Sequence, residues 1–339
     1  MSLMLNEALS APSVLRTQWH QNQARVAALA KALLAAPPRS ILTVARGSSD
    51  HAAAFFGYLA MKHLGCPVAS LPPSLSTERA APWRVTDQLA IAFSQSGESP
   101  DLITTQRALA LGGARTLALI NAENTPLAAA SDQTLPLHAG REESVAATKS
   151  YLATLAAGAH LVGAWAENAA LLDALEALPA RLEEAAALNW QPAIDTLKQA
   201  DRLLVIGRGS GLAVAQEAAL KFKETCGIQA EAFSGAEVRH GPMALIEPGY
   251  PVMIFAPQGP EQTGLLALAD DLESMGARVM LAADDHGGTS HLPVADAGHE
   301  DLQPLSIIQS FYSMAAALAE ARGSNPDQPR HLRKVTRTR

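Results

Sequence analysis

The chain has 339 residues, 48% of them hydrophobic, with a net charge of −7 and a pI of about 5.8. That length suggests two domains of ordinary size, and that composition a globular rather than a disordered chain. The acidic balance and an aromatic content of 4% argue against a nucleic-acid surface, which needs a basic field and stacking rings.

Two cysteines, Cys66 and Cys226, show neither metal-ligand spacing nor enough partners for a disulfide framework. The stretch Met1-Ser2-Leu3-Met4-Leu5-Asn6-Glu7 lacks a basic n-region and a long apolar run, so no signal peptide is expected. The most apolar stretch, 152–175, carries His160, Glu167, Asn168 and Asp173 and falls short of a membrane span. A cytoplasmic location away from membranes and nucleic acid is the expectation.

Past Pro37-Pro38 the elements follow one another as short apolar runs and longer helical patterns. A buried strand is predicted over 41–45, turning at Arg46-Gly47-Ser48-Ser49, with a helix over 50–64 that Gly65 closes. A second strand over 89–93 turns at Ser96-Gly97 into a helix over 100–111, and a third strand covers 116–120. A helical stretch at 175–187 and Asn189-Trp190-Gln191-Pro192 lead to a second series that repeats the first. Ile41-Leu42-Thr43-Val44-Ala45-Arg46-Gly47-Ser48 resembles Leu203-Leu204-Val205-Ile206-Gly207-Arg208-Gly209-Ser210 at an offset of 162. The same offset pairs Gly65 with Gly227, Phe93 with Phe255 and Gly97 with Gly259, and one inserted residue later Gly113 pairs with Gly276.

The fold class expected is therefore α/β, as two tandem doubly wound lobes, each a parallel sheet flanked by helices. The boundaries are an N-terminal segment over 1–24, lobe one over 25–175, lobe two over 176–322 and a C-terminal tail over 323–339. In such sheets ligands sit at the C-terminal ends of the strands, where both Gly/Ser loops fall.

Ser94-Gln95-Ser96-Gly97-Glu98-Ser99 follows a strand and opens a helix. Its hydroxyls, the helix-terminal amides and a glycine that lets the backbone approach would suit a phosphate. The same composition also suits a plain turn with a helix cap. The equivalent loop of lobe two, Ala256-Pro257-Gln258-Gly259-Pro260, keeps the glycine and none of the hydroxyls, which favours a phosphate in lobe one. Ser48 and Ser49, on the neighbouring strand's loop, are placed to join it. The loop is neither a Walker loop nor a dinucleotide fingerprint.

Lobe two carries Glu217, Leu220, Lys221 and Glu224 on one predicted helix face, where lobe one has Phe55, Tyr58, Leu59 and Lys62. A surface salt-bridge ladder is the plain alternative. The segment from Glu231 to Pro242 is dense in charge, punctuated by Gly241-Pro242, and without a clear counterpart in lobe one. It holds His240; on its chemistry alone a lone histidine here is more often structural than catalytic. The basic cluster from Arg330 to Arg339 reads, on charge alone, as a solvated tail.

Together these residues resemble the sugar isomerase (SIS) superfamily, and more closely the isomerase half of the glutamine–fructose-6-phosphate aminotransferases, from about residue 25 onward. Ala45-Arg46-Gly47-Ser48-Ser49 and the serine loop are similar to the family's phosphate loops. Ala139-Gly140-Arg141-Glu142 with Val145-Ala146-Ala147-Thr148-Lys149 is similar to its substrate loop. Leu220-Lys221-Phe222-Lys223-Glu224 and Glu237-Val238-Arg239-His240-Gly241-Pro242 resemble its catalytic helix and loop. The stretch from Asn325 to Thr336 resembles its C-terminal tail, which reverses the idle reading of that cluster.

By resemblance, Glu224 would move a proton between C1 and C2, His240 from a second subunit would assist ring opening, and Lys334 would engage the open-chain carbonyl. Ser48, Ser49, Ser94, Gln95, Ser96, Ser99, Val145 and Lys221 would bind a hexosamine phosphate, in a homodimer with active sites shared between subunits. The resemblance implies no metal or redox cofactor. The chain departs from the aminotransferase pattern in lacking a cysteine before Cys66 and in having Ala147 where serine is usual.

A glucosamine-6-phosphate deaminase that forms fructose 6-phosphate and ammonia without glutamine is the expected activity. A galactosamine-6-phosphate deaminase or isomerase and a fructosamine-6-phosphate deglycase are enzymatic alternatives. A non-catalytic sugar-phosphate sensor is the alternative of another class.

Overall fold

The computed structural model describes residues 1–80, 82–284 and 291–334; Val335 and Thr336 of the expected tail motif lie outside them. Tertiary contacts divide the described chain into two units. One comprises Ser13–Glu142, Lys149–Glu176 and, of the tail, Arg333 and Lys334; the other comprises Met1–Pro12, Glu143–Thr148 and Ala177–Leu332.

The chain begins with a long helix, α1 (Leu3–Ala35). The carboxylate of Asp327 accepts hydrogen bonds from the Leu3 and Met4 amides at 2.8 Å each, filling the role of a cap for amides a helix cannot satisfy itself.

The first unit is built on β1 (Ile41–Val44), β2 (Val68–Ser70), β3 (Leu89–Ser94), β4 (Arg115–Ile120) and β5 (Gln133–Pro136). All pair in parallel, in the order β2-β1-β3-β4-β5. The connecting helices are α2 (Ser48–Leu64), the short α3 (Ser74–Thr77), α4 (Pro100–Leu111), the short α5 (Pro126–Ala129) and α6 (Lys149–Trp165).

Strands β1 and β3 are buried along their whole length, which is why they read as unbroken apolar runs rather than alternating ones. Leu42, Val44, Ala90 and Ala92 pack on Leu102 and Leu109 of α4. Phe55, Phe56 and Leu59 of α2 are wholly buried, each contributing roughly 1.5–3 kcal/mol of apolar burial.

The helix α7 (Ala169–Ala186) leads to the second unit and the short α8 (Gln191–Leu197). Here β6 (Arg202–Gly207), β7 (Gln229–Ser234), β8 (Pro251–Phe255), β9 (Arg278–Ala282) and β10 (His291–Leu292) form a parallel sheet ordered β10-β9-β8-β6-β7. Renumbered from its own first strand, this is the order of the first sheet. The helices are α9 (Gly211–Lys221), α10 (Gln262–Ser274) and α11 (Gln303–Ala321).

The expected fold class of two doubly wound lobes is what the structure shows, and the repeat extends to the backbone. Gly65 and Gly227 close equivalent helices at φ 62° and 64°, in the left-handed conformation that a side chain disfavours. Among the described residues no helix is long and apolar enough to cross a membrane.

Candidate functional site

In the first sheet the strand order reverses direction between β1 and β3. The crevice above such a switch point is where doubly wound sheets hold ligands. The loops that follow β1 and β3 are Arg46-Gly47-Ser48-Ser49 and the Ser94–Ser99 segment, so Ser48, Ser49, Gln95, Ser96 and Ser99 lie at the C-terminal ends of two adjacent parallel strands within one unit. Each of these five side chains is partly exposed, whereas Ser94 is buried.

The loop's serines have divided duties. Ser94 Oγ accepts from the Gly97 amide at 3.0 Å, and Ser96 Oγ accepts from the Glu98 amide at 3.3 Å. Those two shape the turn, as the turn reading of the loop required. Ser99 sits at the cap position of α4 without capping it through its side chain. Gly97 has φ 66°, and a Cβ there would collide with Thr125 and lie 2.6 Å from Ile120 Cδ1, so the position admits only glycine.

A brace that the sequence reading missed joins the two loops: Arg46 Nε donates to Asp101 Oδ2 at 2.9 Å. Asp101 is fully buried in the first turn of α4 and also accepts from the Leu102 amide. Its signal in the sequence is only an acidic residue in the first turn after Pro100, a feature common to many helices.

The same unit holds Lys334. Its Nζ donates to Glu142 Oε2 at 2.8 Å. Arg141 and Glu142 precede the substrate-loop segment 143–148, which belongs to the second unit. There the Glu7 carboxylate of α1 accepts from the Glu143 and Ser144 amides at 2.5 and 3.2 Å. Glu7 thus fixes the backbone beside Val145; nothing local in the sequence marks it for that role.

In the second unit α9 does not end as α2 does. Its last turn, Phe222–Cys226, is a π-helical turn; such widened turns occur mostly as single turns, frequently at functional sites. Lys221, at the junction, is 1% exposed and lies between two carboxylates. Its Nζ is 3.3 Å from Glu217 Oε1 and donates to Glu224 Oε2 at 2.5 Å. Glu217 is wholly buried and also receives the Tyr312 hydroxyl at 3.3 Å. Burial pushes the Lys221 pKa down, but Glu217 and Glu224 more than reverse that, leaving it raised.

The surface-ladder alternative is thereby excluded for this face. At the matching positions lobe one buries Phe55 and Leu59, so the second lobe keeps a buried ion cluster where an apolar pair serves its sister. Glu224 is the member that opens outward, onto a cavity of about 960 Å³. Lys198, Lys223, Arg322, Asn325 and Arg330 line that cavity with it.

Glu224 precedes β7 and His240 follows it, so the two lie toward opposite ends of that strand. About 20 Å of strand separates the segments that carry them, at roughly 3.3 Å per residue. His240 ends a 3₁₀ turn (Glu237–His240) that Val238 anchors in the core beside Tyr250, Val252 and Leu265. Arg239 pairs with Asp271 at 2.5 Å, and the His240 side chain is exposed. The structure therefore brings Lys221 to Glu224, places the two serine loops at the ends of adjacent strands, and sets His240 and Glu224 at opposite ends of β7.

Two doubly wound lobes, one with a hydroxyl-rich loop at its switch point and one with a buried acid–lysine–acid cluster, make up a tandem α/β protein. Residues 34–164 and 196–296 match the model of the SIS domain family, and the chain belongs to that family.

The chain is 34% identical over 354 residues to the glutamine–fructose-6-phosphate aminotransferase (isomerizing) of Aeropyrum pernix, covering 98% of this chain and 56% of that protein. It is 35% identical over 266 residues to an enzyme of that name from Thermus thermophilus, covering 73% of this chain and 43% of that protein. The chain thus spans about half the length of the curated relatives it matches.

Among solved structures, one from Silicibacter pomeroyi DSS-3, provisionally described as a phosphosugar isomerase, superposes with a TM-score of 0.93 at 40% identity, covering 96% of this chain and all of that one. The glucosamine-6-phosphate deaminase of Thermotoga maritima superposes with a TM-score of 0.80 at 25% identity, covering 99% of this chain and 100% of that one.

Proposed function

We propose that this chain is a phosphosugar enzyme that deaminates glucosamine 6-phosphate to fructose 6-phosphate and ammonia. The observation that carries the reading is the buried Glu217–Lys221–Glu224 cluster on a π-helical turn. Taking charges out of water costs several kcal/mol per ion, and the sister lobe meets the same packing need with Phe55 and Leu59. A cluster retained against that cost, with one carboxylate opening on a cavity, suits a proton-transfer site.

The serine loops hold the 6-phosphate. Ring opening breaks the C1–O5 bond and puts a proton on O5, a task for His240. Glu224 takes the proton from C2 of the open-chain aldehyde and returns it to C1, while the C1 oxygen becomes a hydroxyl by gaining the proton that the C2 amine gives up. The nitrogen is left as a C2 imine, which one water hydrolyses to the C2 ketone and ammonia. The strand length between Glu224 and His240 supports a dimer in which His240 serves the neighbouring subunit's site.

A second reading is favoured by the curated relatives: the chain works as the isomerising portion of an aminotransferase and runs the chemistry toward the amino sugar. Ammonia release measured across glucosamine 6-phosphate, galactosamine 6-phosphate and fructosamine 6-phosphate, with the reverse reaction from fructose 6-phosphate and ammonium, separates these. Stoichiometric ammonia and fructose 6-phosphate from glucosamine 6-phosphate is the expected result. Run in deuterated water, the product should carry deuterium at C1 whenever the Glu224 proton exchanges before delivery. Tight binding of the amino sugar with no turnover in either direction refutes the enzyme and leaves a sensor.

A further inference from the structure

Glu142 has a wholly buried side chain, and its carboxylate is held at three points. Oε1 accepts from the Ser150 amide at 3.2 Å; Oε2 accepts from Ser150 Oγ at 2.6 Å and from Lys334 Nζ at 2.8 Å. Ser150 is the second residue of α6, so the carboxylate lies over a helix N-terminus, where free amides and the dipole favour an anion. A buried carboxylate fixed in this way is a rigid anchor.

The lysine it receives lies 192 residues further along the chain. Arg330, His331 and Arg333 are exposed, and Lys334 alone among these basic tail residues has a shielded side chain, 23% exposed.

We propose that Glu142 is the positioning residue of Lys334: a latch that docks this lysine beside the N-terminus of α6 until a ligand parts the pair. The docking stands on these contacts alone. Its consequence for chemistry rests on the proposed role of Lys334 at the sugar carbonyl. An ammonium has no lone pair, so an imine forms only from the released, neutral amine. The amine nitrogen then bonds to the carbonyl carbon, and the carbonyl oxygen leaves as water. Because the lysine must leave Glu142 before it can reach a carbonyl, removing the carboxylate should speed imine formation.

The test uses the full chain as wild type, Glu142→Gln and Lys334→Gln. Tryptic nicking after Arg333 is followed by intact mass, alongside far-UV circular dichroism and the thermal midpoint. Both variants are expected to be nicked at least about tenfold faster than wild type, since a lost charged contact of about 1.4 kcal/mol or more is a tenfold change in opening. If Glu142→Gln fails to fold, Lys334→Gln, which keeps the carboxylate and its Ser150 contacts, decides.

Wild-type nicking rates in folded variants overturn the latch. Borohydride trapping of fructose 6-phosphate on Lys334 at one pH reads the second part. Glu142→Gln should be trapped faster than wild type at the same pH, and an unchanged trapping rate overturns the claim that Glu142 holds the lysine back. Faster nicking with no trapping in wild type refutes the carbonyl role of Lys334 and leaves the latch standing.

Discussion

Lys221→Met removes one charge from a cluster in which Lys221 and Glu217 are 1% and 0% exposed. Two carboxylates are then left facing each other, one without access to water. Breaking a buried pair in this way costs about 3–5 kcal/mol, whereas replacing the pair by well-packed apolar residues is often neutral or stabilising. The chain holds its own template for the replacement: Phe55 and Leu59 are wholly buried at the positions that match Glu217 and Lys221.

The double variant Glu217→Phe/Lys221→Leu should therefore recover most of the loss, to within about 1–2 kcal/mol of wild type. It leaves Glu224 in place and should nevertheless lose turnover by at least about 10²-fold, because the lysine that orients the carboxylate is gone. Urea unfolding by far-UV circular dichroism at pH 7, with ammonia release on the same samples, measures both quantities. A Lys221→Met variant within about 1 kcal/mol of wild type would refute the argument. So would a double variant that is as unstable as the single one while keeping its activity.

Ser96→Ala and Ser99→Ala should each raise KM for the sugar phosphate by a factor corresponding to about 1.5–3 kcal/mol with little change in kcat; unchanged affinity in the double variant removes the phosphate from this loop. Inactive His240→Ala and inactive Glu224→Ala chains, mixed under conditions of subunit exchange, should recover part of the activity if sites are shared; no recovery despite exchange means that both groups serve from one subunit.

His160, 5% exposed and stacked on Trp19 at 4.4 Å, has its pKa pushed by burial from 6.5 down to about 4. A depressed histidine pKa gives stability that is full above pH 6.5 and is lost as the pH falls toward 4, amounting to roughly 3 kcal/mol. His160→Phe should flatten that slope, and the same acid sensitivity in the variant would assign it to other groups.

Much of the fold was legible because it is written in local terms. The helix Pro100–Leu111 falls where its apolar spacing predicts, and the strands and the helix Ser48–Leu64 fall within two residues of their predicted ends. The repeat was legible for the same reason. Glycines needed at left-handed positions, Gly65 and Gly227 among them, recur at one offset because equivalent turns impose the same backbone.

Tertiary structure decided which charged residues leave water. Lys221 and Lys223 are two residues apart in one helical run, yet the first is buried and the second exposed. Glu142 and Glu143 are neighbours, and only Glu142 is withdrawn, onto Ser150 and Lys334. Asp101 reads as an ordinary acidic residue of a helix's first turn until Arg46 is seen to cross from the adjacent strand's loop. The physical reason is common to all three. Propensity and periodicity describe a residue's neighbours along the chain, while the cost of burying a charge is set by partners tens or hundreds of residues away. Where those partners are present the charge is held and its chemistry is tuned, and that pairing exists only once the sheets have formed and brought the distant segments together.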